Sequence, residues 1–238
     1  MSELYIFGDS ILKGAICDDS MRLHLRKNHS YPYLSDTGFQ VNNKSKIGST
    51  ILNGEAAVNN CFNRIERTTT VLVGFGGNDC SFDWKNMFFD PDTEKTPNVA
   101  PDQFVSVYTD TIKKIQGTGA TVFICNLPPI DAERHFEWIA TQGPSQAILE
   151  WLGDIGMLYR WHEMYNRFVE QIAGKTGCKL LDIRSPFLSN HNFKRLIGKD
   201  GMHPTEEGYN IIDKVIAANL VTENPSWAIG KIKKHNIL

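Results

Sequence analysis

The chain has 238 residues, of which 41% are hydrophobic and 22% are charged, a composition typical of a globular protein with one large α/β domain or two small ones. Its 25 Lys and Arg residues nearly balance its 27 Asp and Glu residues, which leaves a net charge of −2. That balance provides no electrostatic basis for nucleic acid or an anionic membrane as the main partner.

Short apolar runs alternate with longer amphipathic stretches along the chain. Apolar and β-branched runs predict strands at Leu4–Phe7, Phe39–Ile47, Thr70–Phe75, Thr121–Asn126 and Lys179–Ile183. Apolar residues spaced three or four apart predict helices at Ile51–Ile65, Asp102–Gln116, Tyr159–Lys175 and Thr205–Leu220. This order predicts a single domain over residues 1–238, a three-layer α/β/α sandwich around a five-stranded parallel sheet of the flavodoxin-like type.

Two segments are longer than the connections that alternating strands and helices need. They are residues 80–100, after the third predicted strand, and residues 128–158, after the fourth. Both leave from the carboxyl ends of strands, where doubly wound sheets build their sites. The second segment is rich in large apolar side chains. We expect both segments to be partly helical covers over a site. Extension of the core and a contact in a homo-oligomer are the alternatives, and the sequence does not determine the oligomeric state.

The tripeptide Gly8-Asp9-Ser10 follows the first predicted strand. Gly, Asp and Ser are common in turns, so a plain turn is one interpretation. The other is that Ser10 is a nucleophile, held at a strand end where the N–H groups of the turn point at the same spot. A serine needs a base to activate it, and the base needs a group that orients it.

The pentapeptide DGMHP, residues 200–204, offers both groups near the other end of the chain. Gly201 permits a tight turn, so the Asp200 carboxylate can reach one imidazole nitrogen of His203 while the other nitrogen faces outward. Pro204 is compatible with the first turn of the last helix. A helix cap made of turn residues is the alternative interpretation.

The sequence GGND, residues 76–79, follows the third predicted strand. The side-chain amide of Asn78 can donate to the oxyanion that forms during acyl transfer. A nucleotide-binding loop is the competing interpretation. However, Asp79 replaces the third glycine of G-x-G-x-x-G, and a carboxylate there would repel a phosphate. Gly48, after the second predicted strand, permits close backbone approach, and its N–H is a second candidate oxyanion donor.

Four segments taken together resemble the motifs of the SGNH hydrolases, also called the GDSL esterase/lipase family. In chain order, these segments are Gly8–Ser10, Gly48, Gly76–Asp79 and Asp200–Pro204. Their order and placement match the family over nearly the whole chain, and Ile11 stands where the family name has Leu. The larger α/β-hydrolase family is set aside because Leu12 occupies the place of the last glycine in its G-x-S-x-G motif.

The resemblance implies the SGNH hydrolase fold and a role for each matching residue. Ser10 is then the nucleophile, His203 the general base and acid, and Asp200 its partner. The N–H groups of Ser10 and Gly48, together with the Asn78 side chain, would form the oxyanion hole.

No cofactor, metal or membrane partner is expected. The five cysteines are odd in number and include no C-x-x-C pair, and the histidines form neither H-x-H nor H-E-x-x-H. A secretory signal is not recognisable, and no apolar stretch approaches the roughly 20 residues of a membrane-spanning helix. We therefore predict a cytoplasmic protein with reduced thiols.

The predicted activity is that of a serine esterase acting through an acyl-enzyme. Its substrate is expected to be a small-molecule ester of a short acyl group such as acetyl, on a carbohydrate or another small alcohol. Trp84 and Trp138, in the two extra segments, are candidate substrate contacts because an aromatic face suits the apolar side of a sugar ring; core packing is the alternative. A lysophospholipase or thioesterase acting on lipid acyl groups is the runner-up, followed by a non-catalytic binding protein on the same fold.

Overall fold

The first strand is buried on both faces. Its alternating side chains divide between two apolar clusters, with Leu4 and Ile6 in one and Tyr5 and Phe7 in the other. Successive strand side chains point to opposite faces, so this pattern requires a covering layer on each side of the sheet. The structure, a computed structural model, describes residues 3–27, 34, 39–88 and 94–222 and contains both layers.

Five parallel strands form the central sheet of the described residues. The strands in chain order are β1 (Glu3–Gly8), β2 (Ala15–Cys17), β3 (Leu23–Leu25), β4 (Gln40–Asn43), β5 (Thr70–Gly74), β6 (Thr121–Cys125) and β7 (Lys179–Leu181). The sheet has the order β4-β1-β5-β6-β7, while β2 and β3 form a separate antiparallel pair. The winding direction reverses between β1 and β5, the point at which doubly wound sheets place their ligands. Gly8 pairs with Gly74 at that edge.

The described residues contain α-helices on both faces of the sheet and beyond the carboxyl ends of its strands. They are α1 (Ser10–Lys13), α2 (Ile51–Cys61), α3 (Pro101–Gln116), α4 (Ala132–Ala140), α5 (Ser145–Leu152), α6 (Gly156–Thr176), α7 (Ser185–Leu188), α8 (Phe193–Leu196) and α9 (Glu206–Thr222). Apolar side chains of α2, α3 and α6 join the cluster that contains Tyr5 and Phe7. Those of α1, α7, α8 and α9 join the cluster that contains Leu4 and Ile6.

The predicted α/β/α sandwich with a five-stranded parallel sheet is confirmed, with local differences in the element bounds. The second predicted strand, Phe39–Ile47, is shortened to β4. Beyond β4 the chain turns, and the Ser45 N–H donates to Asn43 Oδ1 at 2.9 Å. Pro204 is not in the first turn of the last helix. It forms an isolated antiparallel bridge with Ile197, two residues before α9 begins.

The two long segments share a third apolar cluster. Residues 89–93 of the first segment lie outside the described residues. The buried members of the cluster are Phe82, Trp84, Met87, Ile130, Ile139, Ile148, Leu152 and Leu158. The second segment is helical over α4, α5 and the start of α6, as expected. The expected helix in the first segment is not found in its described residues, 80–88 and 94–100, which form turns and irregular chain. Both segments therefore pack together beyond the carboxyl ends of β5 and β6.

Candidate active site

Ser10 is the first residue of the single-turn helix α1, directly after the inner strand β1. Asp9 caps this helix, because its carboxylate accepts a hydrogen bond from the Ile11 N–H at 2.9 Å. Gly8 is required where the strand ends, since a Cβ there would lie 2.9 Å from the Gly74 carbonyl oxygen and 2.8 Å from Leu12. The close approach of Gly8 to Gly74 of β5 therefore fixes the turn that carries Ser10, and only 4% of the surface of Ser10 is exposed.

The turn that carries Asp200 and His203 is docked on the start of α4. Gly201 has a φ of +71°, which favours glycine. A Cβ there would lie 2.3 Å from the backbone nitrogen of His135 and 2.4 Å from the Asp131 carbonyl oxygen. The Asp131 N–H donates to the Gly201 carbonyl oxygen at 2.8 Å. Helix α4 belongs to the second long segment, so this segment positions the turn.

The structure brings Ser10, His203 and Asp200 into one hydrogen-bonded line. His203 Nε2 lies 2.8 Å from Ser10 Oγ, and His203 Nδ1 lies 2.5 Å from Asp200 Oδ2. Asp200 Oδ1 also accepts the His203 backbone N–H at 3.1 Å. A neutral imidazole that donates from Nδ1 to the carboxylate presents Nε2 as an acceptor for the serine hydroxyl. All three residues are 5% exposed or less.

The environment of Asp200 keeps its carboxyl group ionised. Burial by itself raises the pKa of this group, but the hydrogen bond from His203, the charge of that imidazole and two backbone N–H donors outweigh burial, and the pKa lies below its usual value. The ionised carboxylate can stabilise a positive charge on the His203 ring.

Asn78 lies in the same small cavity as Ser10. Its side-chain Nδ2 donates to the Ser49 carbonyl oxygen at 3.1 Å, and its backbone carbonyl oxygen accepts from Asn98 Nδ2 at 2.9 Å. An amide group has two N–H donors, so one remains for a ligand. Gly48, with a φ of +75°, lines a neighbouring cleft and is joined to Asn78 through the adjacent Ser49.

The Ser10 cavity adjoins a larger apolar cavity of about 150 Å³. Gly77, Ile130, His162 and Met202 line both. The predicted contact Trp84 lines the larger cavity, together with Phe82, Trp151 and Trp161. Trp138 is not part of this lining. Its ring stacks on His135 instead, with a centroid distance of 5.7 Å.

The profile of the GDSL-like lipase/acylhydrolase family matches residues 6–211. The chain belongs to this family. Membership makes it an acylhydrolase, an enzyme that hydrolyses ester bonds, as the four sequence segments predicted.

Solved structures resemble the acylhydrolase over nearly their full length. A lipase/acylhydrolase from Enterococcus faecalis matches with a TM-score of 0.63 at 15% identity, covering 94% of this chain and 97% of that one. A GDSL-like lipase from Bacteroides thetaiotaomicron gives a TM-score of 0.63 at 15% identity, with coverages of 94% and 89%. A catalytic mutant of an acetylxylan esterase from Geobacillus stearothermophilus gives 0.63 at 18% identity, with coverages of 92% and 94%. At these identities the likeness shows a common fold. A search of curated proteins found no match.

Two buried histidines of the acylhydrolase were not predicted as site residues. His162 lines both cavities, and its Nδ1 has no hydrogen-bond partner among the described residues. Burial, followed by the charge of Arg184, lowers its pKa to about 3. His135 lies 3.2 Å from the Asp200 carbonyl oxygen through Nδ1, and burial lowers its pKa to about 4. In the sequence, His162 is spaced from Leu158 and Tyr165 as residues on one face of a helix are. That spacing predicts that His162 is buried, but it does not predict a site residue.

Asp79 of the acylhydrolase links the Asn78 loop to helix α2. Its Oδ1 accepts the Ile51 N–H at 2.7 Å, and the residue has no exposed surface. Burial, and secondarily the charge of Asp9, raises the pKa of Asp79 to about 7, while burial raises that of Asp9 to about 6. In the sequence, Asp79 was the reason to reject a phosphate-binding loop. In the structure, its buried carboxylate caps the first turn of α2.

No group of three or more His, Cys, Asp or Glu side chains in the described ranges is arranged to hold a metal ion. None of the helices in that part of the chain is both long enough and apolar enough to cross a membrane.

Proposed function

We propose that the protein is a serine esterase that forms an acyl-enzyme on Ser10. The observation that carries this proposal is the line of hydrogen bonds from Ser10 Oγ to His203 Nε2 at 2.8 Å and from His203 Nδ1 to Asp200 at 2.5 Å. Nucleophile, base and orienting carboxylate then have the geometry that acyl transfer to serine requires.

The reaction begins as Ser10 Oγ attacks the ester carbonyl carbon and His203 Nε2 takes the hydroxyl proton. The carbonyl electron pair moves to its oxygen, which becomes the oxyanion of a tetrahedral intermediate. Asp200 stabilises the imidazolium and stays ionised, because its pKa is held below its usual value. His203 then gives the proton to the leaving alcohol oxygen as the C–O bond breaks. Water repeats the cycle and releases the acid.

The oxyanion is proposed to accept hydrogen bonds from the Ser10 and Gly48 N–H groups and from Asn78 Nδ2. Support comes from the position of Asn78 in the Ser10 cavity and from the bond between Asn78 and Ser49, which ties the Gly48 loop to this side chain. Donors fixed before the reaction act where charge develops, which is why they lower the barrier.

The cavity of about 150 Å³ is the proposed site of the acyl group, and the two long segments that line it are its cover. An engineered protein cavity of about this volume holds benzene, so an acyl group of up to about six carbon atoms fits. This limit favours short acyl groups over lysophospholipid or long-chain thioester substrates. An acetyl ester of a carbohydrate falls within it, and the related Geobacillus protein is described as an acetylxylan esterase.

Hydrolysis of p-nitrophenyl esters from acetate to dodecanoate tests the proposal. We expect the highest kcat/KM for acyl groups of about six carbons or fewer. Ser10→Ala should lower kcat by a factor on the order of 10⁶, as in serine proteases, with an unchanged circular dichroism spectrum. Equal rates for the variant would refute the role of Ser10, and a preference for dodecanoate would refute the short acyl group.

A further inference from the structure

A second, open cleft of about 630 Å³ lies between helix α2 and the loop that joins β4 to it. Phe7, Gly8 and Phe75 contribute to its lining from the ends of β1 and β5. The cleft is larger and more polar than the aromatic cavity, and the proposed ester hydrolysis does not use it beyond the N–H of Gly48.

The charge of this cleft has one sign. Lys13, Lys44 and Lys46 line it, and its lining in the described part of the chain contains no Asp or Glu. None of the three lysines forms an ion pair with a described residue. The protein as a whole carries a net charge of −2, so the charge of this cleft is opposite in sign to the net charge of the chain.

The lining also contains neutral donors. The side-chain amides of Asn53 and Asn60 belong to it, and each can donate to an anionic oxygen.

The cleft borders the reacting serine. The Lys46 N–H donates to the Gly8 carbonyl oxygen at 3.1 Å, two residues before Ser10. Lys13 ends the helix that Ser10 begins. Asn43 Nδ2 donates to the Leu12 carbonyl oxygen at 2.9 Å and so fastens the cleft loop to the same turn.

We propose that this cleft binds an anionic oxygen group, a phosphate or a carboxylate, on the part of the ester that lies outside the acyl cavity. The proposal rests on the proposed function, because it assigns the substrate class of the same Ser10 site. Lysine ammonium groups form charge-assisted hydrogen bonds with such anions, and the side-chain amides of the lining complete their coordination. The substrate is then an ester of a short acid with a phosphorylated or carboxylated alcohol.

The test compares aryl acetates of three classes. The phosphate probes are 3- and 4-acetoxyphenyl phosphate, the carboxylate probes are 3- and 4-acetoxybenzoate, and phenyl acetate is the neutral reference. Each kcat/KM is divided by the rate of hydroxide-catalysed hydrolysis of the same ester, which removes intrinsic reactivity. We expect at least one charged class to exceed phenyl acetate by about tenfold, the usual size of a hydrogen bond to a charged group. The two classes identify which anion is bound.

Substitutions in the cleft should remove this preference. In the double variant K44Q/K46Q the ratio of charged to neutral ester should fall about tenfold. Lys175→Gln, an equal loss of charge on an exposed position of α6, should keep the ratio. Raising the salt concentration should lower the ratio in the wild type, because partly exposed charges are screened.

The result also separates the two proposals. Phenyl acetate hydrolysis that requires Ser10, with no preference for either charged class, overturns the anion cleft and leaves the esterase proposal intact. Hydrolysis that survives Ser10→Ala overturns the esterase proposal itself. A preference that persists in K44Q/K46Q shows that the anion binds elsewhere and overturns the assignment of this cleft.

Discussion

Gly201 and His135 approach each other so closely that a side chain on the glycine would overlap the backbone of the histidine. A Cβ on Gly201 would lie 2.3 Å from the His135 nitrogen, and the glycine has a φ of +71°. This contact couples the start of α4 to the turn between Asp200 and His203. A helix in the second long segment therefore sets the position of the proposed catalytic base.

Gly201→Ala is expected to displace that turn, and with it His203, from Ser10. A misplacement of about 1 Å can lower a rate about 10²-fold, so kcat for p-nitrophenyl acetate should fall by at least that factor. The melting temperature should also fall. Gly174→Ala is the matched control, because a Cβ there meets nothing within 4 Å and the residue lies in helix α6. Alanine suits a helix better than glycine, so this control should be as stable or more stable. Full activity in Gly201→Ala would contradict the coupling.

Asn78→Ala removes one proposed oxyanion donor. We expect kcat to fall about 10²–10³-fold with a smaller change in KM, because the hydrogen bond strengthens only as the oxyanion forms. Asn63→Ala, at an exposed position after α2, is the control for loss of an amide. Steady-state kinetics with p-nitrophenyl acetate measure both. A change confined to KM would argue for substrate binding instead.

Trp151→Ala should open the acyl cavity to longer chains. Trp151 lines this cavity and is 39% exposed, so its removal should enlarge the cavity without leaving a void among the buried core residues. The acyl-chain optimum of the p-nitrophenyl series should move to longer esters. Trp138→Ala is the matched control, because the Trp138 ring is not part of the cavity lining and its removal should leave the optimum in place. A shift in the control alone would place the acyl group elsewhere.

Asp79→Asn should change how stability depends on pH. Burial, with the charge of Asp9 as a further cause, raises the pKa of Asp79 from 3.8 to about 7. The folded protein therefore binds more protons than the unfolded chain, and this residue's contribution to the unfolding free energy declines as pH rises from about 4 to about 7. Asparagine keeps the acceptor for the Ile51 N–H and does not titrate, so the decline should be smaller in Asp79→Asn by about 2 kcal/mol or more.

Urea unfolding across this pH range measures the difference. Asp9 also lowers the unfolding free energy as pH rises, because burial raises its pKa from 3.8 to about 6. Part of the decline should therefore remain in the Asp79→Asn variant. Asp19→Asn, at an exposed position, should follow the wild-type curve. Parallel curves for wild type and Asp79→Asn would show that this carboxyl group does not titrate in the range.

Local patterns were sufficient to predict the sandwich and to bring Ser10, Asn78, Asp200 and His203 into one hypothesis. Each lies at the end of an apolar run or in a turn whose residue types are visible in the sequence. The boundaries were less accurate: β4 stops at Asn43 and Pro204 lies outside the last helix. These limits depend on hydrogen bonds of single residues, which hydrophobic periodicity does not report.

The sequence alone determined the alternation of strands and helices and the residue types at each strand end, because periodicity and turn chemistry act between near neighbours in the chain. Only the tertiary structure decided that Trp151, rather than Trp138, lines the cavity beside His162, and that three lysines share a cleft beside the turn of Ser10. Those groups come from distant segments. Which of them meet depends on how the two long segments and the β4–α2 loop pack over the sheet, and packing between distant segments leaves no periodic signal in the sequence.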